Sequence, residues 1–391
     1  MKIEKIHNII LYCFVFLFHF EFWNVLGTYE YGSITKFVGY LFFLFALRDI
    51  KRFFAFKWLA PFLLPVFFFI LLLTLISLFY QSTYSQNVSI FDYQTFQCII
   101  MFWIICNYLR NNPKIIYNTL FFYLLGAITS GCLFYFGIGI SINSGRLSIF
   151  GDNPNAIGIR MSISILILLS LVFENHIITK KKPYGLLASL PLLLPVLVAS
   201  GSRTALASFA IGLIAFIIFI KMRTWFKIYF LVFSISSVFI LFLYFAESDL
   251  IKSRVQSSLE QKDTAGRIEI WDTVLPIFYN SPILGVGLTG YAEVVVPVYG
   301  ETTSPHNVYI EVLCYTGIVG FFVFLLFLFR IGKQSINNYR VNNLILTTTL
   351  LLMILIVFIA GHGLFDKTFW YIYAVTVASG TISSKYDKKG A

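Results

Sequence analysis

Charge is scarce in this chain: 12% of its 391 residues are Asp, Glu, Lys or Arg, and the mean hydropathy is +0.82. That excludes a pair of water-soluble domains, because apolar runs of about 20 residues recur and match the length that crosses a bilayer. Cysteine is sparse too. Cys13, Cys98, Cys106, Cys132 and Cys314 sit inside apolar segments with no Cys-x-x-Cys spacing, which argues against a disulfide framework or a zinc site and for packing roles. Strand-like alternation is missing: residues 62–79 and 308–329 are apolar on every face, so helices are expected in place of a membrane barrel. No continuous basic face exists either. The net charge of +11 is spread over short clusters between apolar runs, which sets topology and argues against nucleic acid as a partner.

What is present is a series of candidate spans: residues 9–26, 34–47, 59–79, 91–109, 115–138, 156–173, 186–199, 204–220, 228–245, 308–329, 344–360 and 364–378. The expected class is an all-α polytopic membrane protein with about 12 transmembrane helices and one long helical extracytoplasmic loop. Lys2, Lys5 and the apolar run from Ile9 resemble the start of a signal peptide, yet no small-x-small site precedes Gly27-Thr28, so an uncleaved first span is expected. Most basic residues fall on one side of this arrangement: Arg48 to Lys57, Arg110 and Lys114, Lys180 to Lys182, Lys221 to Lys227, Arg330 to Arg340 and Lys385 to Lys389. The positive-inside rule then makes that side and both termini cytoplasmic and leaves residues 247–304 outside. Residues 1–150 read as N-terminal transmembrane helices, and residues 151–391 as a second transmembrane domain that includes the outer loop.

Topology does not require the basic residues left on the outer side: Lys36, Arg146, Arg160, Arg203, Lys252, Arg254, Lys262, Arg267 and Lys367. Residues 266–280 predict a helix with Arg267, Trp271, Val274 or Leu275, and Phe278 on one face, which fits either an arginine held at headgroup level or an ordinary anchoring helix. Gly201-Ser202-Arg203-Thr204 opens a span, with Ser202 as N-cap. Arg203 in the first turn opposes the positive helix end at a cost of about 0.3 to 1 kcal/mol, which a bound anion or a lipid phosphate would remove. Ser304-Pro305-His306-Asn307 predicts a second such start, with Ser304 capping, Pro305 at the first position and His306 kept neutral by the dipole; a plain turn or cap histidine is the bland reading. Asp152-Asn153-Pro154-Asn155 opens a third span, where Arg160 must face protein or a wet cavity because an arginine in hydrocarbon is costly.

Other patterns carry less. Gly285-x-Gly287-x-x-Gly290 fits a dinucleotide fingerprint but lacks the surrounding βαβ unit and reads as a flexible turn. Glu247-x-Asp249 is a weak divalent-metal candidate. His19 and Glu21 read as a satisfied polar pair or part of a proton path, and Asn87-Val88-Ser89 as an unsupported glycosylation sequon.

At these residues the chain resembles the O-antigen ligase and polymerase superfamily of bacterial membrane glycosyltransferases. The resemblance rests on Gly201-Ser202-Arg203-Thr204-Ala205-Leu206, Gly266-Arg267-Ile268-Glu269-Ile270-Trp271, Asn280-Ser281-Pro282-Ile283-Leu284-Gly285-Val286-Gly287, and Pro305-His306-Asn307-Val308-Tyr309-Ile310-Glu311. Leu206 lies one place earlier than in the family's Arg-x-x-x-Leu pattern. The resemblance implies a metal-independent, inverting, cofactor-free transfer of an oligosaccharide from a polyprenyl carrier such as undecaprenyl diphosphate, at the outer face of the bacterial inner membrane. Arg203 and Arg267 would hold the diphosphate, and His306 would take the proton of the attacking hydroxyl. Arg146, Arg160 and Asn307 are possible secondary substrate contacts. The acceptor is another carrier-linked glycan for a polymerase, slightly favoured because nothing in the sequence points to lipid A core, the acceptor of a ligase. A lipid-linked glycan flippase is the alternative from another class; the expected cavity-lining charges and repeated halves are not seen.

Overall fold

In a computed structural model the described residues are 2–23, 33–80, 83–84, 93–143, 146–174, 182–225, 227–229, 231–232, 236 and 266–382. The candidate span 228–245 lies largely outside them. So do Glu247, Asp249, Lys252, Arg254, Lys262, the sequon at Asn87 and the loop from 247 to 265.

The chain is mostly helical. It runs α1 (Lys2–Phe16), α2 (Ile34–Leu47), α3 (Ile50–Phe53), α4 (Ala60–Phe79), α5 (Tyr93–Leu109), α6 (Pro113–Phe136), a hairpin of β1 (Ile140–Asn143) and β2 (Arg146–Ile149), and α7 (Pro154–Phe173). It continues with α8 (Leu190–Ala199), α9 (Arg203–Phe219), α10 (Arg267–Asn280), α11 (Gly287–Tyr299), α12 (Val308–Asn342), α13 (Leu346–Ala360) and α14 (Lys367–Ser379). Among the described residues, α4, α6, α7 and α12 are long and apolar enough to cross a membrane, and shorter apolar helices accompany them. Large apolar side chains such as Phe68, Leu71, Ile214 and Phe322 are exposed on the helix surfaces, as lipid-facing positions of an integral membrane protein are.

The hairpin corrects the all-helical expectation. Gly137, at φ 67°, ends α6 in the left-handed conformation, and Gly139, at φ 68°, lies against the Phe150 ring where a side chain would not fit. Ile140 then pairs with Ile149 and Ile142 with Leu147 in an antiparallel register. Phe150 stacks on Trp23 at 4.9 Å, which ties the hairpin to the segment that follows α1.

Helix α7 is the pillar of the bundle, buried along almost its whole length against α6, α8, α9 and α13. Small residues allow this packing. A Cβ on Gly158 would lie 2.6 Å from Ser200 Oγ and 2.8 Å from Ala205 Cβ, so the glycine lets the α8–α9 corner close onto α7. At the far end of α7 the Glu174 carboxylate accepts the backbone N–H groups of Ile345 and Leu346, capping α13. That end also carries Lys182, Arg110 over the Trp58 ring, and Arg52 beside Glu4.

The span expected at 308–329 is not a single rod. Gly317, at φ 58° and ψ −161°, breaks α12, and Tyr309 lies 6.4 Å from Phe324. A straight helix would separate residues 15 apart by about 22 Å, so the first nine residues fold back across the second half. The break is filled by the segment between α10 and α11. Ile318 N–H donates to Pro282 O, Val319 N–H to Ile283 O and Val286 N–H to Cys314 O. A Cβ on Gly285 would lie 2.6 Å from Cys314 O, one on Gly317 2.4 Å from Ile283 C, and one on Gly287 2.6 Å from Ser77 Oγ. The run from Gly285 to Gly290, expected as a flexible turn, is instead packed backbone to backbone. Its glycines serve close approach and left-handed geometry.

Candidate functional site

At the end of the bundle opposite Glu174, the starts of α9, α10 and α12 meet the link between α13 and α14. The α9 start has the expected form: Ser202 Oγ accepts the Ala205 N–H at 3.2 Å, and Arg203 is the first helical residue. Ser200 and Ser202 are fully buried while Arg203 is exposed, so the corner is rigid beneath a side chain that reaches outward. Thr204 Oγ1 donates to Ala360 O at 2.9 Å, fastening this start to the end of α13.

Helix α10 begins at Arg267, after Gly266 at φ 70°. Its buried stripe is Ile270, Val274 and Ile277, so Arg267 and Trp271 sit on the flank of the packed face. Trp271 Nε1 donates to Pro305 O at 2.8 Å, which pins the helix to the residue before His306. Burial and then the Arg203 charge lower the Arg267 pKa, so the two guanidiniums lie near enough to feel each other. Like charges this near disfavour each other and favour a shared anion.

The expected cap before His306 is corrected. Helix α12 starts at Val308, and Asn307 caps it, its side-chain oxygen accepting the N–H groups of Tyr309 at 3.0 Å and Ile310 at 3.1 Å. Asn ranks with the best capping residues, and Ser304 Oγ is engaged instead with the His306 N–H at 3.2 Å. His306 therefore precedes the helix, at φ 51°, in a left-handed conformation that costs a non-glycine residue about 1 to 3 kcal/mol. Its imidazole is pushed down to about 4 by burial first, then by His362 and Arg267. The expected direction holds, but burial and two neighbouring bases cause it. A helix dipole is not required.

His362 was not singled out in the sequence. It lies between Gly361 and Gly363 in the α13–α14 link, exposed, with its ring centroid 5.5 Å from that of His306. Gly363, at φ 143°, has the Phe369 ring where a Cβ would stand. A histidine between two glycines at the mouth of two spans was the available signal. Below it, a small cleft is lined by Asn155, Arg160, Thr204, His362 and Asp366.

The remaining expected residues lie around this group. Arg146 donates through Nε to Ser200 O at 3.2 Å and through Nη2 to Asn155 Oδ1, bracing the hairpin against the α8–α9 corner. Arg160 is buried and faces protein, paired with Asp152 and donating to Phe18 O and, at 3.3 Å, to Ala156 O. Glu21 pairs with Lys367 and not with His19, which lies 3.5 Å from Ser164 Oγ. Arg203, Arg267 and His306 thus come together. Arg146 and Arg160 brace the floor, and the Asn307 oxygen caps a helix.

No curated protein matches this chain. The backbone segment that fills the α12 break, both helix-start arginines and His306 all fall in one stretch of family similarity: residues 188–325 match the model of the O-antigen ligase family.

Proposed function

We propose that this protein is a membrane glycosyltransferase of the bacterial inner membrane, which moves an oligosaccharide from a polyprenyl diphosphate to a glycan acceptor at the extracytoplasmic face. The observation that carries the reading is the meeting of Arg203, Arg267 and His306, two guanidinium groups beside a half-buried imidazole. Arg203 and Arg267 hold the diphosphate and take up the charge that grows on it as the anomeric bond breaks. His306 accepts the proton of the attacking hydroxyl, and in-line attack inverts the anomeric centre. The two arginines supply the positive charge that a metal ion supplies elsewhere. Arg52, Arg110 and Lys182 at the opposite end support a cytoplasmic placement of that end, and with it of both termini.

We take a second carrier-linked glycan, and not lipid A core, as the acceptor. The test is purified protein with a polyprenyl-diphosphate repeat unit in EDTA, with and without lipid A core. A ladder from the donor alone is expected; product only with core makes the protein a ligase, and loss of product in EDTA overturns the metal-independent step.

A further inference from the structure

We propose that His306 and His362 act as a pair, with His362 the positioning residue that holds the His306 imidazole toward the acceptor and carries its proton away to water. This rests on the transferase reading above and deepens it.

The geometry has three parts. The rings are 5.5 Å apart at an interplanar angle of 58°, close enough for a proton to pass with one small rotation or through a single water. His306 is half-buried and His362 is exposed, so the pair runs from the reacting centre to solvent. The position of His362 is built: Thr204 Oγ1 holds Ala360 O on one side, and on the other Trp370 Nε1 donates to Leu364 O at 2.9 Å and Asp366 N–H to Gly363 O at 3.1 Å. The charged groups around the pair are Arg267 and, beyond it, Arg203 on the His306 side, with Asp366 and Arg160 lining the cleft under His362.

A second imidazole fits the chemistry. As the acceptor oxygen bonds to the anomeric carbon, its O–H bond breaks and the carbon–oxygen bond to the diphosphate breaks with its electron pair. The proton stays on His306, in a half-buried position beside Arg267, where a cation is disfavoured. An adjacent exposed imidazole relieves it, and the neutral base is restored for the next transfer.

The experiment compares wild type with His362→Ala, His362→Gln and His306→Ala in the donor-only assay, over pH 4 to 9, with and without added imidazole. His362→Ala is expected to lower kcat about tenfold to a hundredfold, the range of a proton-transfer contribution, with KM for the donor unchanged. The acid limb of kcat/KM moves to higher pH because the His362 contribution that lowers the His306 pKa is lost, and added imidazole restores part of kcat. His362→Gln, which keeps a polar side chain in place, should be as slow as His362→Ala. Wild-type kcat in both variants, or a loss that is equal at every pH and insensitive to imidazole, overturns the pair while His306→Ala remains inactive. Full turnover by His306→Ala removes the underlying transferase base instead.

Discussion

Replacing the two arginines separates a diphosphate site from a pair of anchoring side chains. A hydrogen bond from a charged donor contributes about 1.5 to 3 kcal/mol, so Arg203→Ala or Arg267→Ala should each lower kcat/KM by about 10- to 150-fold. The double variant should fall short of the product of the two. In the unliganded protein each guanidinium raises the energy of the other, as the lowered Arg267 pKa records, and removing one relieves the survivor. Arg203→Lys should retain more activity than Arg203→Ala because it keeps the charge and loses the planar fork. The assay is the ladder from purified protein and a defined carrier-linked repeat in EDTA, read at donor concentrations below KM. Full turnover by Arg203→Ala, Arg267→Ala, with melting temperature unchanged in both proteins, would refute the reasoning, since a surface anchor would leave the same result.

The pH dependence has a definite sign. His306 must be neutral to accept a proton, so activity is lost as pH falls through its pKa, near 4 in the unliganded protein; kcat/KM should stay level from pH 8 down to about 5. A bound diphosphate compensates Arg267 and raises that value, so the limb in kcat should lie above the limb in kcat/KM, and coincident limbs would sink the idea. Gly317→Ala should destabilise the protein by more than about 1 to 3 kcal/mol, because φ 58° with ψ −161° is a conformation kept almost wholly to glycine and the Cβ would also meet Ile283 C at 2.4 Å; a melting temperature equal to wild type in detergent would contradict this packing. Arg160→Met and Asp152→Asn should each cost roughly 3 to 5 kcal/mol by stranding a buried charge or leaving its partner unpaired, and the double variant should be more stable than either. A double variant worse than both would mean that the two side chains do not act as a pair.

Much of this protein was legible along the chain, because the signals are local. The α2 boundaries, the Ser202 cap with Arg203 first in its helix, the helix from Arg267 and the burial of Arg160 follow from composition, capping chemistry and the cost of charge in hydrocarbon. Residues that answer to distant partners were not legible. Gly285 and Gly287 look like turn residues, and Gly317 like one more position of a straight span, until α10, α11, α4 and α12 are seen to press their backbones together, and Asn307 replaces Ser304 as the cap while Ser304 accepts the His306 N–H. Sequence alone determined a helical membrane chain with cations at helix starts, since hydropathy and capping act within a turn or a span. Which of those cations meet, that His362 stands beside His306, and that α12 is broken were decided by tertiary structure, because each depends on atoms brought together across about 30 to 100 residues of chain by helix packing.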